Sequence, residues 1–172
     1  PCGGQSLEGP SIAEARVSRE VVIYTDESKE DGPYYASFYG VALVESTQLG
    51  GVIETLEAAK AAVGIGAEVK WQKVSAGYLD RYLALVNTLF DVVDSGRIKI
   101  RIMFRHRLVE SKWLDAYRRE HAYHLLYYQF VKHAFGLQFA THGVIPLRVR
   151  LYLDDLPDTR EKNETFKGYL AG

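Results

Sequence analysis

Three groups of carboxylates carry the chemistry that this sequence could perform. Asp26 and Glu27 follow the extended apolar run Val21 to Thr25, Glu68 stands in the phrase Glu68, Val69, Lys70, Trp71, and Asp154 with Asp155 follow Leu147 to Leu153. Carboxylate oxygens are the donors that hard divalent cations take, and a phosphoryl-transfer centre with two metals about 4 Å apart needs several of them. In open α/β sheets ligands bind at the carboxyl ends of strands, so acids ending two separate strands can meet at one site. The expectation is a magnesium or manganese centre with Asp26, Glu27, Glu68, Asp154 and Asp155 as ligands, and with Asp26, Glu68 and Asp154 in the catalytic role. Alternation along the last strand groups Asp154 with Arg148, Arg150 and Tyr152, and Asp155 with Leu151 and Leu153, which makes Asp154 the inward ligand. Each pair has an ordinary alternative, since Asp is common just after strands, where it caps a helix or opens a turn.

Phosphate binding would fall to Lys70, two residues from Glu68, and to Arg105, His106 and Arg107. The stretch from Arg97 to Arg119 holds eight Lys or Arg against two acids, Glu110 and Asp115, with Phe104, Trp113 and Tyr117 interleaved. Such a patch can neutralise backbone phosphates whatever the base sequence, although a half-exposed edge strand shows the same alternation. His106 can also transfer a proton near neutral pH. Trp71 is expected in the core, and His121 and His124, one helical turn apart, are expected as satisfied histidines and not as zinc ligands. No phosphate-binding Gly-Lys-Ser loop, dinucleotide glycine fingerprint or Gly-x-Ser-x-Gly elbow occurs.

The motifs resemble a family. Tyr24, Thr25, Asp26, Glu27, Ser28 is similar to the Asp-Glu-Ser strand that opens the domain-of-unknown-function 3800 family, which has a ribonuclease H-like fold. Glu68 to Trp71 resembles its second motif, and Leu151 to Asp155 its late strand, in the same order from about Val21 onward. The resemblance implies a ribonuclease H-like nuclease that uses magnesium or manganese on RNA or DNA. It also implies a final helix with a further acid in a Gln-Leu-Ala-Asp-like phrase. The sequence to Gly172 has no such phrase, so the fourth carboxylate is expected to be missing or supplied otherwise. A second departure is Phe104, Arg105, His106, Arg107, where ribonuclease H-like enzymes commonly place an Asp at a strand end.

A length of 172 residues with 47% hydrophobic composition fits one domain with a sizeable core, expected over residues 20–172. Residues 1–19 read as a flexible leader or cloning remnant. The net charge of −1 gives no global attraction to polyanions, so nucleic acid, the expected partner, must be held by a local patch. Cys2 is the one cysteine and cannot form an internal disulfide, which favours a cytoplasmic location. No run approaches the roughly 18 apolar residues of a membrane span. The alternative function, from another class, is a non-catalytic binding or assembly domain with an incomplete site. It would be homodimeric through the aromatic helix expected from Ser111 to Phe135.

These residues need elements to position them. Val21 to Asp26 reads as a buried strand, paired through a turn at Ser28 to Pro33 with a second strand, Tyr34 to Val44, in an antiparallel hairpin. Leu56, Ala59, Ala62 and Val63 give a helix from about Ile53, stopped by Gly64. Ala67 to Val74 reads as extended. Tyr78, Tyr82, Leu85, Leu89 and Val93 form a helical stripe with Ser75 as N-cap and Gly96 as stop. Ile98, Ile100, Ile102 and Phe104 alternate with polar residues as a strand. The Ser111 to Phe135 helix should turn Leu114, Tyr117, His121, Leu125 and Tyr128 to one side. Leu147 to Leu153 is the last strand, followed by a short helix. Strands alternating with helices after a hairpin give an α/β fold, a mixed sheet flanked by helices, with Asp26 on a central strand and Asp154 on its neighbour.

Overall fold

Continuous β-branched and aromatic residues drive the first two strands together. The computed structural model describes residues 19–31, 33–106, 115, 121–140, 146–154 and 160–171. β1 (Arg19–Asp31) and β2 (Tyr35–Glu45) form the expected antiparallel hairpin, with Val21 opposite Glu45 and Asp26 opposite Gly40. The hairpin is longer than the sequence suggests. Pairing continues past Asp26 and Glu27 to Asp31 opposite Ala36, so the polar residues expected in a turn extend the strand. β3 (Ile98–His106) pairs antiparallel with β2, and β4 (Leu147–Leu153) pairs parallel with β1. The described residues thus form a mixed four-stranded sheet in the order β3-β2-β1-β4, with β1 inside it and β4 at its side.

Pleating gives the sheet two apolar faces, and each recruits helices. Val22, Val44 and Ile98 pack with Val52 and Val92, from α1 (Leu49–Ala62) and α2 (Leu79–Asp94). Val21, Ile23, Tyr39, Val41 and Leu43 pack on the other side with Tyr123, Tyr127 and Val131 of α3 (Ala122–His133) and Phe166 of α5 (Arg160–Ala171). A four-residue helix, α4 (Leu137–Ala140), precedes β4. Gly64 and Gly96, at φ 68° and 77°, end α1 and α2 in the left-handed region that L side chains avoid, as their places in the sequence suggest.

Local readings differ in three places. Ser75 does not cap α2: Tyr78 is the N-cap, and Ser75 uses its carbonyl to accept the Tyr78 N–H in the preceding turn. The residues around Glu68 form an irregular connection with a 3-10 turn at Trp71–Lys73, because they pair with no strand. On α3 the buried positions are Tyr123, His124, Tyr127 and Val131, while Leu125 is exposed. Aromatics lie on several faces of that helix, and packing against Tyr39 chose a different stripe from the expected one. The expected beginning of the helix, and the leader apart from Arg19, lie outside the described residues.

Among the described residues no helix is long and apolar enough to cross a membrane. Tyr127 is fully buried, its ring 5.2 Å from that of Tyr39 and 5.3 Å from that of Phe166. Tyr127→Ala is therefore expected to cost about 3–5 kcal/mol of unfolding free energy. Ile102→Ala, at an exposed position on β3, should stay within about 0.5 kcal/mol. Urea denaturation of both variants checks the contrast, and equal losses would show that the core is misassigned.

Candidate active site

β1 and β4 carry the same phrase, Tyr-x-Asp: Tyr24, Thr25, Asp26 on one strand and Tyr152, Leu153, Asp154 at the end of the other. Parallel register sets Tyr24 against Tyr152 and Thr25 against Leu153. Asp26 and Asp154 are the next residues along, on chains about 5 Å apart. The two tyrosines share a face, stacked with centroids 5.0 Å apart and planes 11° from parallel. Side chains two residues further on point the same way, so both aspartates project from the face that carries Val22. Both are exposed. Thr25 Oγ1 donates to the Tyr152 carbonyl at 3.1 Å and ties the two strands together just before the acids.

Glu27 points to the other face, over α3. The Tyr127 hydroxyl donates to its Oε2 at 3.0 Å, and the Tyr123 hydroxyl faces the same carboxylate. Oε1 is buried and has no hydrogen-bond partner among the described residues. Burial pushes the Glu27 carboxyl above its ordinary value, the tyrosine hydrogen bonds oppose the shift, and the charges of Asp26 and Asp154 add to it. The charges of both aspartates thus bear on Glu27 at this end of the sheet. Burial, followed for Tyr123 by the charge of Glu27, raises the pKa of both tyrosines and keeps them protonated as donors.

Glu68 is not gathered with these three. Arg97 Nη1 meets Thr55 Oγ1 at 3.4 Å, while Ala61 to Gly64 share a groove with Asp80, Arg81 and Ala84, so α1 and α2 run antiparallel. Their connection, residues 63–78, joins the two helices. Within it Glu68 pairs with Lys70 at 2.9 Å, both exposed, an ion pair that contributes little to stability. Trp71, expected in the core, is 87% exposed because its connection packs under neither helix.

The other expected residues are scattered along β3 or not described. Arg105 is half-buried, and its Nε is buried with no hydrogen-bond partner among the described residues. His106 meets Tyr35 edge-on at 4.9 Å. Arg107, Asp155 and most of the basic stretch after His106 lie outside the described residues. His124 is buried and bonds Asn163 Oδ1 through Nε2 at 3.1 Å. Among the described residues no three Asp, Glu, His or Cys side chains stand close enough together to hold a metal ion. The structure thus gathers Asp26 and Asp154 on one face and Glu27 just behind them, and leaves Glu68 with Lys70. Magnesium is often bound by one or two carboxylates together with waters and substrate phosphates, and two carboxylates are what this face provides, whereas no all-protein cage forms among the described residues.

The sequence reading missed the tyrosines. Tyr24 and Tyr152 make a stacked aromatic ledge beside the aspartates, and Tyr127 holds Glu27. The repeated Tyr-x-Asp was the available signal for the first pair, since parallel in-register strands place equal phrases side by side. No comparable signal marks Tyr127, whose partner is a hundred residues away.

Folding raises the Glu27 pKa, so the folded chain holds this proton more tightly than the unfolded chain. Its contribution to stability is then full below the unfolded pKa and lost as pH rises through the folded pKa. Glu27→Gln, which cannot ionise, should flatten that loss: the two proteins converge in acid, and the variant gains relative stability toward neutral pH. Urea midpoints between about pH 4 and about pH 8 measure this, and parallel profiles would show that Glu27 titrates normally. Comparison with protein-family models, curated proteins and solved structures finds no match to the chain, so the chemistry of this site is read from its own geometry.

Proposed function

We propose that the chain is a ribonuclease H-like, metal-dependent phosphodiesterase acting on RNA or DNA. The observation that carries this reading is the register of two adjacent parallel strands, which sets the exposed Asp26 and Asp154 side by side with Glu27 behind them. Neighbouring carboxylates are the oxygen donors that a hard divalent cation takes. The strand order supports the ribonuclease H-like reading, with the strand of Asp26 inside the sheet and that of Asp154 next to it. A magnesium or manganese ion would be held by Asp26 and Asp154. Once bound, it would polarise a phosphoryl oxygen and make water a better nucleophile.

The side chains of the chain itself have separate tasks. Asp26 and Asp154 supply negative oxygen donors on the exposed face. Glu27, its pKa raised and one oxygen held by Tyr127, keeps its other oxygen turned into the protein behind them. The Tyr24–Tyr152 stack lies one pleat repeat from the acids and would offer an outer ring face to a nucleobase. Lys70, paired with Glu68 in the connection between α1 and α2, would exchange that partner for a substrate phosphate.

Labelled single-stranded, duplex and hybrid oligonucleotides incubated with magnesium, manganese or chelator test the reading. Cleavage should require metal and fall on the order of 100-fold or more in Asp26→Asn and in Asp154→Asn, with unchanged far-ultraviolet circular dichroism. Cleavage that survives both substitutions, or none with either metal, overturns it. Metal-independent oligonucleotide binding without cleavage would support the other reading, a non-catalytic binding domain, which the absence of a third close ligand among the described residues favours.

A further inference from the structure

α2 carries two apolar stripes, and the sheet uses one. Tyr82, Leu85, Leu89 and Val92 turn toward the core beneath the helix. Leu79, Leu83, Val86 and Phe90 form the second stripe and are between 38% and 57% exposed. At 100° per residue this stripe lies about a quarter turn round from the buried one. It also points away from α1, because Arg81 and Ala84, which line the groove with α1, lie on the far flank. The intervals of four, three and four residues are those of a coiled-coil seam, so the surface is shaped for a helix.

We infer that α2 pairs antiparallel with α2 of a second copy of this chain, forming a two-fold homodimer through Leu79, Leu83, Val86 and Phe90. The spacing itself selects a second copy. Intervals of four, three and four read the same in both directions, so a two-fold axis midway between Leu83 and Val86 lays Leu79 against Phe90 and Leu83 against Val86 of the partner. A surface that meets itself in this way is what an isologous interface requires. The charges are compatible with it. Asp80, at the rim, falls near Asn87 of the second copy, and Asp94 lies beyond the end of the seam, so no like charges face each other. The same acidic rim, with Asp80, Asp91 and Asp94, argues against a lipid surface, which selects Lys and Arg beside the apolar stripe.

Size sets the expected strength. The stripe with the neighbouring exposed Tyr78 would bury on the order of 1,000 Å² across two copies, the low end for a specific contact. Contacts of that size are weak or transient, so monomer and dimer should both be visible in solution at roughly 1–100 µM. Of the described aromatics of α3, Tyr123 and Tyr127 are buried under the sheet.

Sedimentation equilibrium of the full chain across roughly that concentration range gives the mass directly. The parent chain should move from one-chain to two-chain mass. Leu83→Gln with Val86→Gln keeps strong helix formers and should shift the midpoint at least about tenfold upward, with an unchanged circular dichroism spectrum. If that double variant unfolds, Phe90→Ala, at the end of the seam, serves in its place. Leu125→Gln, a change at an exposed apolar residue on α3, which packs on the opposite face of the sheet, should leave the midpoint unaltered. A parent chain that stays monomeric throughout, or a dimer disrupted by Leu125→Gln and not by the α2 changes, overturns the inference.

Discussion

Everything at the candidate site depends on β1 being paired on both edges, antiparallel to β2 and parallel to β4. Double pairing fixes the pleat of β1, and the pleat decides where its acids go. Asp26 is turned to the α1 and α2 side and Glu27 to the α3 side, although they are adjacent in sequence. One acid therefore stays in water while the other is half-buried among tyrosines. The same pairing sets β4 in register, which brings Asp154 beside Asp26 without any direct contact between the two acids being needed to hold them there.

Sheet coverage divides the molecule into a supporting half and an open half. Near the start of β1 both faces are sealed, with Val22 and Val21 fully or almost fully buried on opposite sides. Toward the other end, the face of Asp26 loses its helical cover: Tyr24, Ile102 and Phe104 are all exposed. Gly40, between Asp26 and Ile102 on the neighbouring strands, adds no side chain to that surface. Among the described residues no helix covers this largely apolar surface, and the acids stand at its border. The opposite face stays covered by α3, through which Tyr127 reaches Glu27 from behind.

The strands were largely legible because their apolar residues are continuous or alternate at period two, as at Ile23 and at Ile98 to Phe104. Asp26 and Asp154 were legible for the same reason, since each follows such a run. Alternation along β3 grouped Ile102 and Phe104 with Ile98 but did not say which of them is covered, since a pattern of two tells which residues share a face and not what lies above it. Glu68 was harder to place, because its neighbours Val69 and Trp71 suggest a strand that finds no partner. The aromatic helix misled for a related reason: with tyrosines at positions 123, 127 and 128, more than one stripe could be buried. The hydrogen bond from Tyr127 to Glu27 links distant parts of the chain and leaves no trace in local spacing.

The repeated Tyr-x-Asp phrase also limits how this chain can change over evolutionary time. Because the two phrases are matched residue for residue across parallel strands, inserting or deleting one residue within β4 would turn Asp154 and Tyr152 to the α3 side. Arg150, which holds Glu20 across the strands at 3.0 Å, would turn with them. Length variation should therefore be tolerated in the connections and strongly selected against between Leu147 and Asp154. Within that window, substitution is the open route to new specificity, and the ledge formed by Tyr24 and Tyr152 is the place where it can occur without disturbing the positions of the acids.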